Sequence, residues 1–194
     1  KVLALKPYLW LPWYDRATAK FYLEDFVGAE QDASKAISLN PYIEQIFDLR
    51  AISRIRQEKY TDAISDYDRA IKLNPNVSSF WLNRAICRLN AKDYDQALLD
   101  ADTIISRWSK TATAYSLKAE IYLERKDTTT ADLWLSRSLQ QEPYNADAWA
   151  TRSFIALNRQ QWLVADSCLS QVIHLRPKVA SNYVNRALAR LKVN

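Results

Sequence analysis

Pro7, Pro41, Pro75, Pro143 and Pro177 fall on one series with a step of 34 residues, and Ser109 fills the only gap in it. Proline breaks a helix and biases the residue before it away from helical geometry. The series therefore cuts the chain into equal pieces. Residues 44–77, EQIFDLRAISRIRQEKYTDAISDYDRAIKLNPNV, represent them all: two amphipathic runs closed by Pro75. A fixed period of helix–turn–helix pieces points to an all-α solenoid, in which each piece buries its apolar face against its neighbours.

Full repeats read at residues 10–43, 44–77, 78–111, 112–145 and 146–179. Residues 1–9, KVLALKPYL, match the tail of a preceding repeat, and residues 180–194 match a first helix without its partner. Neither end carries the polar face of a capping repeat. The expectation is one array over 1–194, cut from a longer one, with association of copies through the uncapped ends left open. The absence of Met likewise suggests that Lys1 is not the native start. The opening KVLALKPYLWLPW lacks a small-residue cleavage site and is not read as a signal peptide.

Within a repeat, position 4 is aromatic throughout: Trp13, Phe47, Trp81, Tyr115, Trp149 and Tyr183. Position 8 is small (Ala17, Ala51, Ala85, Ala119, Ser153, Ala187), as is position 20 (Ala29, Ala63, Ala97, Ala131, Ala165). Small residues at 8 and 20 let two helices approach, and the aromatic fills the space that opens further along. On these residues and the closing proline the chain resembles the tetratricopeptide repeat (TPR) family, whose pattern is W-x2-L-G-x2-Y…A-x3-F…P. The resemblance covers the whole chain. It implies a right-handed superhelix of helix–turn–helix units.

The departures from that pattern are systematic. Position 7, where the family has Leu, is basic in every repeat: Arg16, Arg50, Arg84, Lys118, Arg152 and Arg186. Arg16, Arg50 and Arg84 each have an aspartate sixteen residues on (Asp32, Asp66, Asp100), while Trp134 and Cys168 stand at that place in the next two repeats. An ion-pair ladder pinning each helix pair is the favoured reading. A basic stripe along an RNA backbone is the competing one. The run from Arg107 to Thr111 interrupts the regular repeat ending, and a local change of pitch between the third and fourth repeats and neutral drift stand as equal readings of it.

The resemblance also implies that first helices line a concave face where a partner peptide lies. On that face it places Tyr14, Thr18, Leu49, Ile52, Arg56, Asn83, Ile86, Asn90, Glu120, Phe154 and Asn158. The set combines an apolar floor with a rim of amides and charges, which suits a peptide. Chaperone-tail binding by a carboxylate clamp is not expected, because Asn83 and Asn185 have no accompanying Lys or Arg at the matching positions. Position 12, from Phe21 to Leu191, is read as packing between neighbouring first helices.

A non-catalytic protein–protein interaction scaffold is thus the favoured function, with no cofactor. The alternative is the recruiting arm of a larger protein or enzyme, and nucleic-acid binding ranks lower. His174 is the only histidine and Cys87 and Cys168 stand in non-neighbouring repeats, which leaves little room for a metal cluster, a Ser–His triad or a disulfide. The net charge of +5 is too modest to imply nucleic acid. No apolar run is long enough to span a membrane.

Overall fold

The structure is a computed structural model that describes residues 8–193. Residues 1–7 of the expected repeat tail, Pro7 among them, and Asn194 lie outside the described residues. Eleven α-helices and no strand occur among the described residues: α1 (Trp10–Tyr22), α2 (Phe26–Leu39), α3 (Glu44–Ile55), α4 (Tyr60–Leu73), α5 (Ser78–Asn90), α6 (Tyr94–Arg107), α7 (Ala112–Glu124), α8 (Thr128–Gln141), α9 (Ala146–Asn158), α10 (Trp162–Leu175) and α11 (Ala180–Leu191). The chain divides into two compact units, Lys1–Ile104 and Ile105–Asn194, with the boundary in the last turn of α6.

The first helices α1, α3, α5, α7 and α9 end in the same way. Glu24, Glu58, Lys92, Lys126 and Gln160 adopt left-handed backbone with φ between 58° and 62°. The next amide then reaches back to the carbonyl five residues earlier, as Asp25 N to Lys20 O at 2.9 Å and Asp93 N to Arg88 O at 2.8 Å. This is the Schellman closure, which satisfies the last carbonyls of the helix and reverses the chain. At the far end, α2, α4 and α10 stop two residues before Pro41, Pro75 and Pro177. The repeat proline also acts as an acceptor: Trp81 Nε1 donates to Pro75 O (3.1 Å), Trp149 Nε1 to Pro143 O (2.8 Å) and Tyr183 Oη to Pro177 O (3.0 Å). At Trp81, Trp149 and Tyr183 the position-4 aromatic therefore packs a ring and latches the preceding turn at once.

In unit 1, α2 packs on both α1 and α3, α4 on both α3 and α5, and α1 also touches α3. Ala17, Ala29, Ala51, Ala63, Ala85 and Ala97 are all fully buried, so the small positions sit where helices come closest. Around them Phe47, Tyr67, Ile71 and Phe80 form one apolar cluster, and Ile46, Leu49, Ala33 and Ala36 another. In unit 2, α7 pairs with α8 and α9 with α10, over a core of Ala119, Ala131, Leu135, Leu139, Ala148 and Ile155. Ala187 is exposed, as no second helix among the described residues packs on that side of α11.

The basic position 7 forms the expected ladder. Arg16 binds Asp32 at 2.6 Å, Arg50 binds Asp66 at 2.5 Å and Arg84 binds Asp100 at 2.6 Å. Position 11 adds a second cation to the same carboxylates: Lys20 on Asp32 (3.0 Å), Arg54 on Asp66 (2.8 Å) and Arg88 on Asp100 (2.6 Å). Other pairs tie a repeat to the one before it, as Arg54 to Glu30, Arg84 to Asp68, Arg152 to Asp132 and Arg190 to Asp166. Burial alone would raise the Glu30 carboxyl, but hydrogen bonds from Lys59, Arg54 and Gln57 outweigh it and hold the pKa at about 2. Where Trp134 replaces the aspartate, the Lys118 ammonium lies 3.8 Å and the Arg137 guanidinium 4.4 Å from its ring centroid, and Tyr115 stacks on it. A cation–π contact takes over from the ion pair there.

Candidate functional site

The first helices of unit 1 carry eight of the expected site residues. Tyr14 and Thr18 lie on α1, with the Thr18 hydroxyl donating to Tyr14 O at 3.0 Å. Leu49 and Ile52 lie on α3, which Arg56 caps. Leu49 is only 6% exposed and belongs to the core with Ala17 and Ile46, so it supports the face from beneath. Ile52 is half-buried and packs against both apolar clusters. Arg56 is exposed, with its guanidinium 4.7 Å from the Phe26 ring centroid. On α5, Asn83 is half-buried, Ile86 is 37% exposed, and Asn90 is exposed with its amide donating to Ile86 O at 2.8 Å.

Two residues of unit 1 that the sequence reading did not single out matter more than most of these. Tyr67 of α4 is fully buried, and its hydroxyl has no hydrogen-bond partner. Asp48 of α3 has one buried carboxylate oxygen, Oδ1, also without a partner. Burial pushes the Asp48 carboxyl up, and the neighbouring Tyr67 hydroxyl only partly offsets this. Burial, then the Asp48 and Cys87 charges, raises the Tyr67 phenol far above its ordinary value. Asn83 approaches the same hydroxyl, and Tyr14 also feels the Asp48 charge. No helical periodicity marks such a group, since an aspartate at an exposed-looking helix position gives no sign of being half-covered by the next repeat.

Unit 2 presents Glu120 on α7 and Phe154 and Asn158 on α9, all exposed. Phe154 leaves 63% of its surface in solvent. A cleft of about 340 Å³ opens beside Glu120, lined by Ser116, Leu123, Asn145, Asp147 and Thr151 among others. Desolvation on the cleft wall, with the charge of Glu124, pushes the Glu120 carboxyl up. Asp147 is held ionised by Arg176, which binds both of its oxygens at 2.7 and 2.8 Å.

Chemistry-bearing groups are sparse. Among the described residues no cluster of His, Cys, Asp and Glu could hold a metal ion. Cys87 and Cys168 are free and buried, and burial pushes the Cys87 thiol up to about 12, far from a reactive thiolate. No helix among the described residues is long and apolar enough to cross a membrane.

The sequence profile of the tetratricopeptide repeat matches residues 49–105 and again 90–146, together just over half of the chain. The chain belongs to the TPR family. No curated protein matches this TPR chain in sequence. Among solved structures it is similar to YrrB, a TPR protein with an unusual peptide-binding site, at 13% identity and a TM-score of 0.71 over 98% of this chain and 96% of that one. MamA (41 to end) from Desulfovibrio magneticus RS-1 is 14% identical, with a TM-score of 0.78 over 88% of this chain and 97% of that one. A chain of the APC/C hetero-tetramer Cut9–Hcn1 is 16% identical with a TM-score of 0.70, covering all of this chain but 38% of its own length. At such identities the likeness is one of fold. The TPR fold is a scaffold for protein–protein interaction and is in general not enzymatic.

Proposed function

We propose that this TPR protein is a non-catalytic scaffold that holds a peptide or a partner subunit on the inner faces of its first helices. The observation that carries the reading is the contrast between two apolar positions. In the five full repeats position 12 is withdrawn, with Leu89 buried and Phe21, Ile55, Leu123 and Leu157 half-buried. Position 9 instead leaves Ile86 and Phe154 open to solvent, next to the amides of Asn83, Asn90 and Asn158. Exposed apolar side chains grouped with amides favour a contact surface, because they join desolvation energy to backbone hydrogen bonding. A peptide-binding site is also named for YrrB, which supports the same use of the fold. Arg16, Arg50 and Arg84 are each engaged by an aspartate, which favours a protein ligand over a nucleic-acid backbone.

The experiment is affinity capture from native extract with three baits: wild type, Ile52→Glu/Ile86→Glu, and Phe154→Glu, each checked for helicity by circular dichroism. A partner held by wild type is expected to be lost at least tenfold from the folded unit 1 variant, the unit 2 variant, or both. Equal capture by all three baits would move the contact off these faces.

A further inference from the structure

The cleft beside Glu120 in unit 2 presents hydroxyls that can only accept. The Ser138 hydroxyl has one proton and gives it to Ala112 O at 2.9 Å, so Ser116 is the donor in the 2.8 Å contact between the two hydroxyls. The Thr151 hydroxyl likewise donates its proton to Asp147 O at 2.9 Å. Each of these two oxygens has only lone pairs left for the cleft. Glu120 adds a carboxylate that makes no hydrogen bond or ion pair among the described residues. Desolvation and the charge of Glu124 push its carboxyl up, with no cation to offset them. Asp147, the other acid of the lining, is already neutralised by Arg176. Glu120 is exposed and Ser116 and Thr151 are half-buried, so the acceptors stand open to a side chain entering from solvent.

We infer that this cleft seats an arginine side chain of the bound peptide, an inference that rests on the peptide-binding reading above. Acceptors whose own protons are spent select a ligand made of donors, and an uncompensated carboxylate among them selects a cation. A guanidinium carries five N–H donors in one plane and no acceptor, so it can fork onto Glu120 and still reach a hydroxyl. An ammonium has three donors and is more strongly hydrated, so entering a half-closed cleft costs it more. Glu120 and Ser116 stand one turn apart on α7, and Thr151 lines the same cleft from α9. At about 340 Å³ the cleft lies at the small end of the roughly 300–1,000 Å³ of ligand sites, which suits one long side chain. Leu123 and Leu135 give the aliphatic stem an apolar wall. Asn145 Oδ1 accepts from Ala148 N at 3.0 Å, which leaves its amide protons for a backbone carbonyl of the same peptide. Unit 2 carries 13 Lys and Arg against 7 Asp and Glu, so a polybasic segment is repelled and the arginine stands among neutral or acidic neighbours.

The test pans a displayed library of random dodecapeptides against the full chain, then measures a selected peptide that carries a single arginine by fluorescence polarisation. Arginine is expected to be enriched at least threefold over its library frequency, and lysine less. Replacing the arginine of that peptide by lysine should weaken binding several-fold, and by glutamine at least tenfold. Glu120→Gln should weaken the arginine peptide at least tenfold and leave its glutamine version unchanged, a coupling that a merely structural role would not produce. Thr151→Val should weaken the arginine peptide several-fold. Glu120→Gln should melt with wild type, because the exposed carboxylate holds nothing in place, so lost affinity would not be lost folding. Selected peptides without arginine enrichment would overturn the arginine cleft, and their loss on Phe154→Glu or Ile52→Glu/Ile86→Glu would leave the peptide face standing. Equal enrichment of lysine and arginine would overturn the choice of arginine. An arginine peptide indifferent to Glu120→Gln would overturn the assignment to this cleft. Selection of no peptide by wild type would overturn the peptide-binding reading, and the cleft with it.

Discussion

The one glycine of the chain is not where a left-handed turn needs it. Gly28 lies in the first turn of α2, where its amide donates to the capping carboxylate of Asp25 at 2.9 Å. A Cβ there would fall 2.1 Å from Asp25 Oδ2, so a larger residue would have to turn the Asp25 carboxylate aside, as Asp127 accommodates Thr130 in the equivalent cap. The left-handed residues that close the first helices are Glu24, Glu58, Lys92, Lys126 and Gln160, none of which adopts that geometry freely. Left-handed backbone costs an L-residue about 1–2 kcal/mol, while glycine gives back roughly 0.5–1 kcal/mol through the unfolded chain. Lys92→Gly is therefore expected to stabilise unit 1 by about 0.5 kcal/mol, seen as a higher urea midpoint at unchanged slope. Lys92→Val, β-branched at the same φ, should lower the midpoint. The turn was not legible in the sequence because the residue type that would announce it is absent.

At the scale of the element, the ladder is a set of carboxylates shared between helices. Asp66 is buried on α4 and takes Arg50 and Arg54 from α3. Asp132 of α8 is half-buried and takes Arg152 of α9 alone. Removing the acid from a buried pair strands its partners, at about 3–5 kcal/mol, whereas a solvated pair contributes about 1 kcal/mol or less. Asp66→Ala should accordingly destabilise by about 3 kcal/mol and Asp132→Ala by about 1 kcal/mol, measured by urea denaturation followed by circular dichroism. Similar losses at the two sites would mean that the second cation adds nothing. The pairing of position 7 with the aspartate sixteen residues on was readable, because both lie within one repeat. The second cation, at position 11, stands twelve residues before the same aspartate and also lies within one repeat; the links to the preceding repeat were not readable, because they depend on how one helix pair stacks on the next.

At the scale of the whole molecule, repeat stability is a sum over neighbouring contacts, so it varies along the chain. The inner repeats are covered on both sides, as α3 is by α2 and α4. α11 packs on α10 and buries Ala189 alone, leaving Tyr183, Val184, Leu188 and Leu191 exposed. Elements with few buried apolar contacts open most readily. Hydrogen exchange read by mass spectrometry should find the amides of α11 at least tenfold less protected than those of α4. Equal protection would show that α11 is covered in solution, for example by a second copy of the chain.

The 34-residue step determined by itself that the chain is an array of helix pairs, and the alanines at positions 8 and 20 determined where those helices meet. Both are local or strictly periodic facts, and periodicity is what a sequence states most directly. The face of the first helices was likewise legible as a stripe that includes Ile52 and Ile86. Tertiary structure alone decided which members of that stripe stay open, as Ile86 and Phe154 do, and which sink into the core, as Leu49 does. It also decided that Asp48, unremarkable in the chain, is set against Tyr67 with no counter-ion. Burial and charge compensation depend on what a neighbouring helix brings to within a few ångströms, and no spacing along one helix encodes that distance.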